Sequence, residues 1–85
     1  MNKLLGPLAS HRRETLCHDA WDAATYWLGR KPERKPQGES DRRIIMIHMT
    51  DWILDNGTPE DLRLFPKGVG AYVDVLVTER IYEED

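Results

Sequence analysis

Between Ser10 and Leu28 the apolar positions recur at the period of an α-helix. At about 100° per residue, Leu16, Cys17, Ala20, Trp21, Ala23, Ala24, Trp27 and Leu28 share an arc of about 160°, and Glu14, Thr15, His18, Asp19, Asp22 and Thr25 fill the remainder. Arg13 alone intrudes into the apolar arc. Ser10 carries the hydroxyl of an N-cap, and Gly29 can take the left-handed conformation that ends helices, so the pattern predicts a helix over 10–28. The stretch over 30–39, with Pro32, Pro36 and Gly38 among charged residues, reads as a solvated linker.

Ser40 stands at the cap of a second helix predicted over 41–55, with Asn56-Gly57 as its stop. Its Ile44, Ile45 and Ile47 would also suit a strand, but only the helical period gathers His48, Asp51 and Asp55 on one narrow face. The apolar arc is broad: Ile45, Met46, Ile47, Met49, Trp52, Ile53 and Leu54 take more than half the circumference, which marks this helix as the central element, and Trp52 and Ile45, with Leu16 and Trp27 of the first helix, are expected to form the centre of the core. Thr58-Pro59-Glu60-Asp61 then combines an N-cap, a proline suited to the first helical position, and carboxylates facing the positive end of the dipole. A short helix over 59–65 follows, ended by Pro66. Residues 69–82 fit either period, grouping Val69, Tyr72, Val73, Leu76, Val77 and Ile81 as a helix, or alternating Ala71, Val73, Val75 and Val77 as a strand. A strand here would lack a stable sheet to join. The expected fold is therefore all-α, a small bundle of three principal helices plus one short helix in a single domain over 1–85, with an α+β arrangement carrying a strand at 71–82 as the alternative.

Charge changes the picture of how such a bundle meets other molecules. Residues 1–43 contain nine Lys and Arg against six acidic residues, and residues 44–85 contain three against nine, so a half near +3 joins a half near −6. Such polarity steers encounters without specifying a reaction. The longest apolar run, Ile44 to Ile47, falls far short of the roughly 20 residues that cross a bilayer. The opening Met1 to Ala9 resembles a signal peptide, but Pro7 and the following His11-Arg12-Arg13 cut its apolar stretch short, and the default expectation is cytoplasmic. The single cysteine, Cys17, can form no internal disulfide.

Three constellations bear on chemistry. Glu14, His18 and Asp22 follow at i, i+4 and i+8, a spacing that lets a carboxylate orient an imidazole, and they define a small-enzyme reading. Cys17 points away from His18, into the apolar arc, and His11 and His18 stand too far apart to share a metal ion; no metal or cofactor is expected. His48 with Asp51 and Asp55 repeats the acid and imidazole pattern and reads as helix surface. Arg12, Arg13, Arg30, Lys31, Arg34, Lys35, Arg42 and Arg43 form a potential basic patch, which makes a nucleic-acid-associated regulator using residues 30–43 a second alternative. The interleaved Glu33, Glu39 and Asp41 weigh against it. The outline of a helix-turn-helix over 58–80 carries acidic residues where a recognition helix needs basic ones.

No catalytic or nucleotide motif stands out. The expected function is that of a non-enzymatic protein-interaction module, a small regulator or inhibitor of the kind phages and bacteria encode, binding a partner protein through a charged surface. Its candidate contact residues are Arg30, Lys31, Arg34 and Lys35 on the basic side, and Asp74, Glu79 and Glu83 on the acidic side. Tyr26 and Tyr82, which fall on otherwise polar arcs, are the aromatic candidates.

Overall fold

A proline lacks the amide hydrogen that a first-turn residue does not use, and its fixed φ suits the first helical position. The first helix accordingly begins at Pro7, a turn ahead of Ser10, which lies inside it and does not cap it. The computed structural model describes residues 7–28 and 38–82. Four helices run through them: α1, Pro7–Leu28; α2, Gly38–Asn56; α3, Pro59–Leu62; and α4, Val69–Tyr82. The fold is all-helical, as the periodicity predicts. Gly29 and the linker as far as residue 37 lie outside the described residues.

The second helix also starts early, at Gly38, so Ser40 belongs to its first turn. The reason lies in that turn: Glu39 and Asp41 face the positive end of the dipole. Glu39 also accepts both hydrogen bonds of the Arg42 fork, from Nε at 2.9 Å and from Nη2 at 2.8 Å, which fastens position i to i+3. At the other end, the Gly57 amide donates to the Ile53 carbonyl at 2.8 Å, and a Cβ on Gly57 would stand 2.9 Å from that same oxygen. The chain can turn this closely only because position 57 has no side chain.

A full capping box opens α3. The Asp61 amide donates to Thr58 Oγ1 at 3.1 Å, and the Thr58 amide donates back to Asp61 Oδ2 at 3.0 Å. The α-helical part ends at Leu62, shorter than the expected 59–65; Arg63, Leu64 and Phe65 continue it through tighter bonds to the carbonyls three residues back. Pro66 and Lys67 then form a turn closed by Gly68, whose φ of +100° is open only to glycine and whose amide donates to the Phe65 carbonyl at 2.8 Å. Residues 69–82 resolve as helix, and the strand alternative at 71–82 is not formed. Val69, Val73 and Val77, at i, i+4 and i+8, bury one side against α2, which offers a helical surface and no strand edge.

The core is built from three such ladders. Ile45, Met49 and Ile53 come from α2, the three valines from α4, and Leu16, Cys17, Ala20 and Ala24 from α1, with Phe65 closing the end. The small α1 residues let that helix approach α2 closely. Both α1 and α4 pack on α2, which is central as its broad apolar arc predicts. Contacts between Arg13 and Tyr72 and between Arg80 and Trp21 advance together along both helices, so α1 and α4 run parallel, with α2 returning between them.

Trp52, expected at the centre of the core with Ile45 and Leu16, is only partly buried at its margin. The centre is held instead by Ile45, Met49, Ile53, Val73 and Val77. Two α2 residues placed in the apolar arc, Ile47 and Leu54, are 60% and 50% exposed, because α1 and α4 cover only one side of the helix. The Trp27 side chain, the fourth expected core anchor, lies outside the described residues.

Candidate protein-binding surface

The turn between α3 and α4 brings Phe65 and Pro66 alongside the first two turns of α4. Together with Gly68, Ala71, Tyr72 and Val75 they form an apolar groove of about 330 Å³, with Lys67 at its edge. Phe65 meets Tyr72 edge to face at 5.4 Å between ring centres, which fixes the groove floor. At the helical period Ala71, Val75 and Tyr82 share the outward side of α4, Val75 and Tyr82 being 58% and 55% exposed. Glu79 and Asp74 flank this apolar stripe on either side.

The charged residues around the groove are largely committed within the molecule. Arg12 forms a two-pronged pair with Asp61, from Nε to Oδ1 at 3.0 Å and from Nη2 to Oδ2 at 2.8 Å, joining α1 to the capping box of α3. The Arg12 hydrogen bond, followed by the Thr58 amide, holds the Asp61 carboxyl well below the usual carboxylate range. Arg13, the intruder in the apolar arc of α1, donates from Nη1 to the Leu64 carbonyl at 3.1 Å, and its guanidinium lies 5.1 Å from the Tyr72 ring centre. Its buried Nε finds no acceptor, a cost set against those two contacts. On the opposite flank Arg42 Nη1 donates to Asp74 Oδ1 at 2.8 Å and reaches Thr78 Oγ1 at 3.5 Å, tying the start of α2 to α4. The bond to Glu39 is the main reason the Arg42 guanidinium is held above its ordinary range.

These contacts redistribute the expected sites. Asp74 is half-exposed but already paired with Arg42. Glu79 and Tyr82 are exposed on α4, and Tyr26 is 65% exposed near the end of α1, toward the Tyr82 end of the bundle and away from the groove. Arg30, Lys31, Arg34, Lys35 and Glu83 lie outside the described residues. Of the eight cations proposed as a basic patch, the four described ones, Arg12, Arg13, Arg42 and Arg43, all make intramolecular contacts, Arg43 reaching Glu39 at 3.5 Å.

Of the enzyme constellation, His18 Nε2 stands 3.4 Å from Asp22 Oδ2, with both side chains about two-thirds exposed on the outer face of α1. Cys17 is buried, and desolvation pushes its thiol pKa up, away from the thiolate a nucleophile needs. His48, Asp51 and Asp55 border a cleft of about 180 Å³ between α1 and α2, together with Ala23, Ala24 and Trp52. Among the described residues no group of three or more His, Cys, Asp or Glu is placed to hold a metal ion, and no helix is long and apolar enough to cross a membrane.

Sequence reasoning missed the groove itself. Its one local signal is Pro66 to Gly68 between apolar neighbours; the joining of Phe65 to Tyr72 and Val75 needs the turn to be closed and α4 to be helical. Comparison of the chain with family models, with curated proteins and with solved structures finds no match.

Proposed function

We propose that this protein is a small protein-interaction module, a regulator or inhibitor that acts by occupying a partner and not by catalysis. The reading is carried by the apolar groove at Phe65, Pro66, Tyr72 and Val75, with Tyr82 exposed on the same side of α4 about two turns beyond Val75. Exposed apolar surface of this kind, rimmed by charge, is what a binding face presents to a partner. Tyr82 is the aromatic anchor of the stripe, and Glu79 is its available charge, since Asp74 is engaged by Arg42.

The test is capture on immobilised protein from cells that express it, followed by titration of the purified captured protein against wild type, Val75→Glu, Glu79→Lys and Tyr82→Ala. All three positions are exposed, so the variants keep their fold, which circular dichroism checks. Val75→Glu is expected to weaken binding by at least about tenfold, and the other two by about threefold to tenfold. Affinities unchanged within about threefold in all three variants would remove α4 as the binding face.

A further inference from the structure

The outward side of α4 differs at its two ends. At the start, the turn through Phe65 and Pro66 stands beside the helix and leaves the apolar groove of about 330 Å³ along Gly68, Ala71, Tyr72 and Val75. At Gly68 even a Cβ would meet nothing within 4 Å, so the groove is open there. At the far end the Tyr82 side chain is 55% exposed on the same side of the helix. Gly68, Ala71, Val75, Thr78 and Tyr82 follow one another at alternating spacings of three and four, the repeat along which two helices pack as a seam. One seam therefore carries a hollow at one end and an aromatic ring at the other, about 16 Å apart from Ala71 to Tyr82.

We infer that the occupant of the groove is Tyr82 of a second copy of this chain, the two α4 helices packing antiparallel about a two-fold axis that passes between Val75 and Thr78. In such a pair residue i of one copy meets residue j of the other, and j meets i. An axis at that height sets Val75 opposite Thr78 and Ala71 opposite Tyr82, so each ring enters the groove of the other copy beside Phe65 and Tyr72. Both hollows fill at once. Parallel pairing would instead set Tyr82 against Tyr82, leave both grooves empty and turn Asp74 of one copy toward Glu79 of the other, two acids facing. Charge favours the antiparallel sense as well: the sequence beyond Tyr82 is Glu83-Glu84-Asp85, and that acidic end of one copy meets the end of the other at which Lys67 is exposed. The face is the one assigned above to a partner protein, so self-pairing and partner binding exclude one another, but the pairing stands without that reading.

The experiment is sedimentation equilibrium of the purified full chain, wild type against Val75→Glu and Tyr82→Ala. Wild type is expected to dimerise with a dissociation constant tighter than about 500 µM, and each variant to weaken it by at least about tenfold. Orientation is read from cysteine pairs. After mild oxidation, a mixture of Ala71→Cys and Tyr82→Cys chains is expected to give the mixed disulfide in excess over either self-pair, with wild type and its buried Cys17 as the blank. A wild-type dissociation constant weaker than about 500 µM, a variant within about threefold of wild type, or Ala71→Cys cross-linking to itself in place of the mixed pair overturns the inference. A monomer that still loses its captured partner on Val75→Glu overturns self-pairing alone and leaves the protein-binding reading standing. A dimer sensitive to both variants, beside unaltered capture, overturns that reading alone.

Discussion

The two sides of α2 carry nearly the same side chains and meet opposite fates. Ile45, Met49 and Ile53 are fully buried between α1 and α4, whereas Ile44, Ile47 and Leu54, spaced at i, i+3 and i+10 on the other side, are 41%, 60% and 50% exposed. Composition does not distinguish the two sets, and neither does local periodicity, because the apolar arc is continuous around more than half the helix. What separates them is the number of elements available to cover the helix. A chain of this length buries a smaller fraction of its surface than a larger domain does, and the described helices flank α2 on one side only. Apolar character in a small domain thus marks residues that can be buried, and the arrangement of neighbours selects those that are.

The largest expected difference between the two sides comes from truncating one residue on each. Ile53→Ala should cost about 2–5 kcal/mol in urea unfolding, since the surrounding ladders cannot close a cavity at the centre. So small a domain would then be close to unfolded at 37 °C. A near-wild-type midpoint for Ile53→Ala would show that the inner ladder is not the core.

The same contrast holds between carboxylates, and pH sharpens it. Asp61 is buried and doubly bonded, Asp51 is exposed, and Asp61→Asn should cost about 1.5–3 kcal/mol where Asp51→Asn costs less than about 0.5 kcal/mol. The pKa of Asp61 is lower folded than unfolded, so its contribution is complete above the ordinary aspartate value near about 4 and is lost as pH falls below it toward the depressed folded value. Wild type should therefore lose stability more steeply than Asp61→Asn as pH is lowered from about 5 to about 2. Parallel pH profiles for the two proteins would mean that the Arg12 pair does not hold in solution.

Trp52 sits between the two extremes. As a partly buried side chain at the core margin it should cost about 1–3 kcal/mol on replacement by Ala, less than the roughly 3–5 kcal/mol typical of a buried aromatic. A loss as large as that of Ile53→Ala would return it to the centre, where the breadth of the apolar arc first placed it. At the small end, Ile47→Ser and Leu54→Ser on the outer side should each change stability by less than about 0.5 kcal/mol and should raise solubility. A cooperative loss of stability in either variant would show that something covers that side in solution.

Much of this architecture is legible in the sequence because it depends on residues within a turn or two of one another. The helical character of 10–28 and 41–55 follows from periodicity. Thr58, Pro59 and Asp61 announce the start of α3, and Pro66 to Gly68 announce a turn. Helix starts are less legible: Ser10 and Ser40 resemble caps, while Pro7 and the Glu39 bond to Arg42 extend both helices upstream. Pattern alone does not separate helix from strand over 69–82, since Val69, Val73 and Val77 share one face at either period. Packing against α2 decides the matter by burying Val69, Val73 and Val77 together.

Arg13 shows where local reading ends. Sequence places it as a flaw in the apolar arc of α1 and as a member of a basic patch, and both descriptions treat it as α1's own. Only the tertiary structure supplies the Leu64 carbonyl and the Tyr72 ring, from residues about fifty to sixty positions away, that turn the intruding charge into the joint between three helices. The chain by itself determined the helical character of 10–28, of 41–55 and of the short helix opened by Thr58, and which residues are suited to the interior, because capping, turn chemistry and periodicity are short-range. Which apolar face is covered, which charges are neutralised and where a groove stays open depended on the neighbours that the fold brings together, because burial and Coulomb energies are set by distance in space and not along the chain.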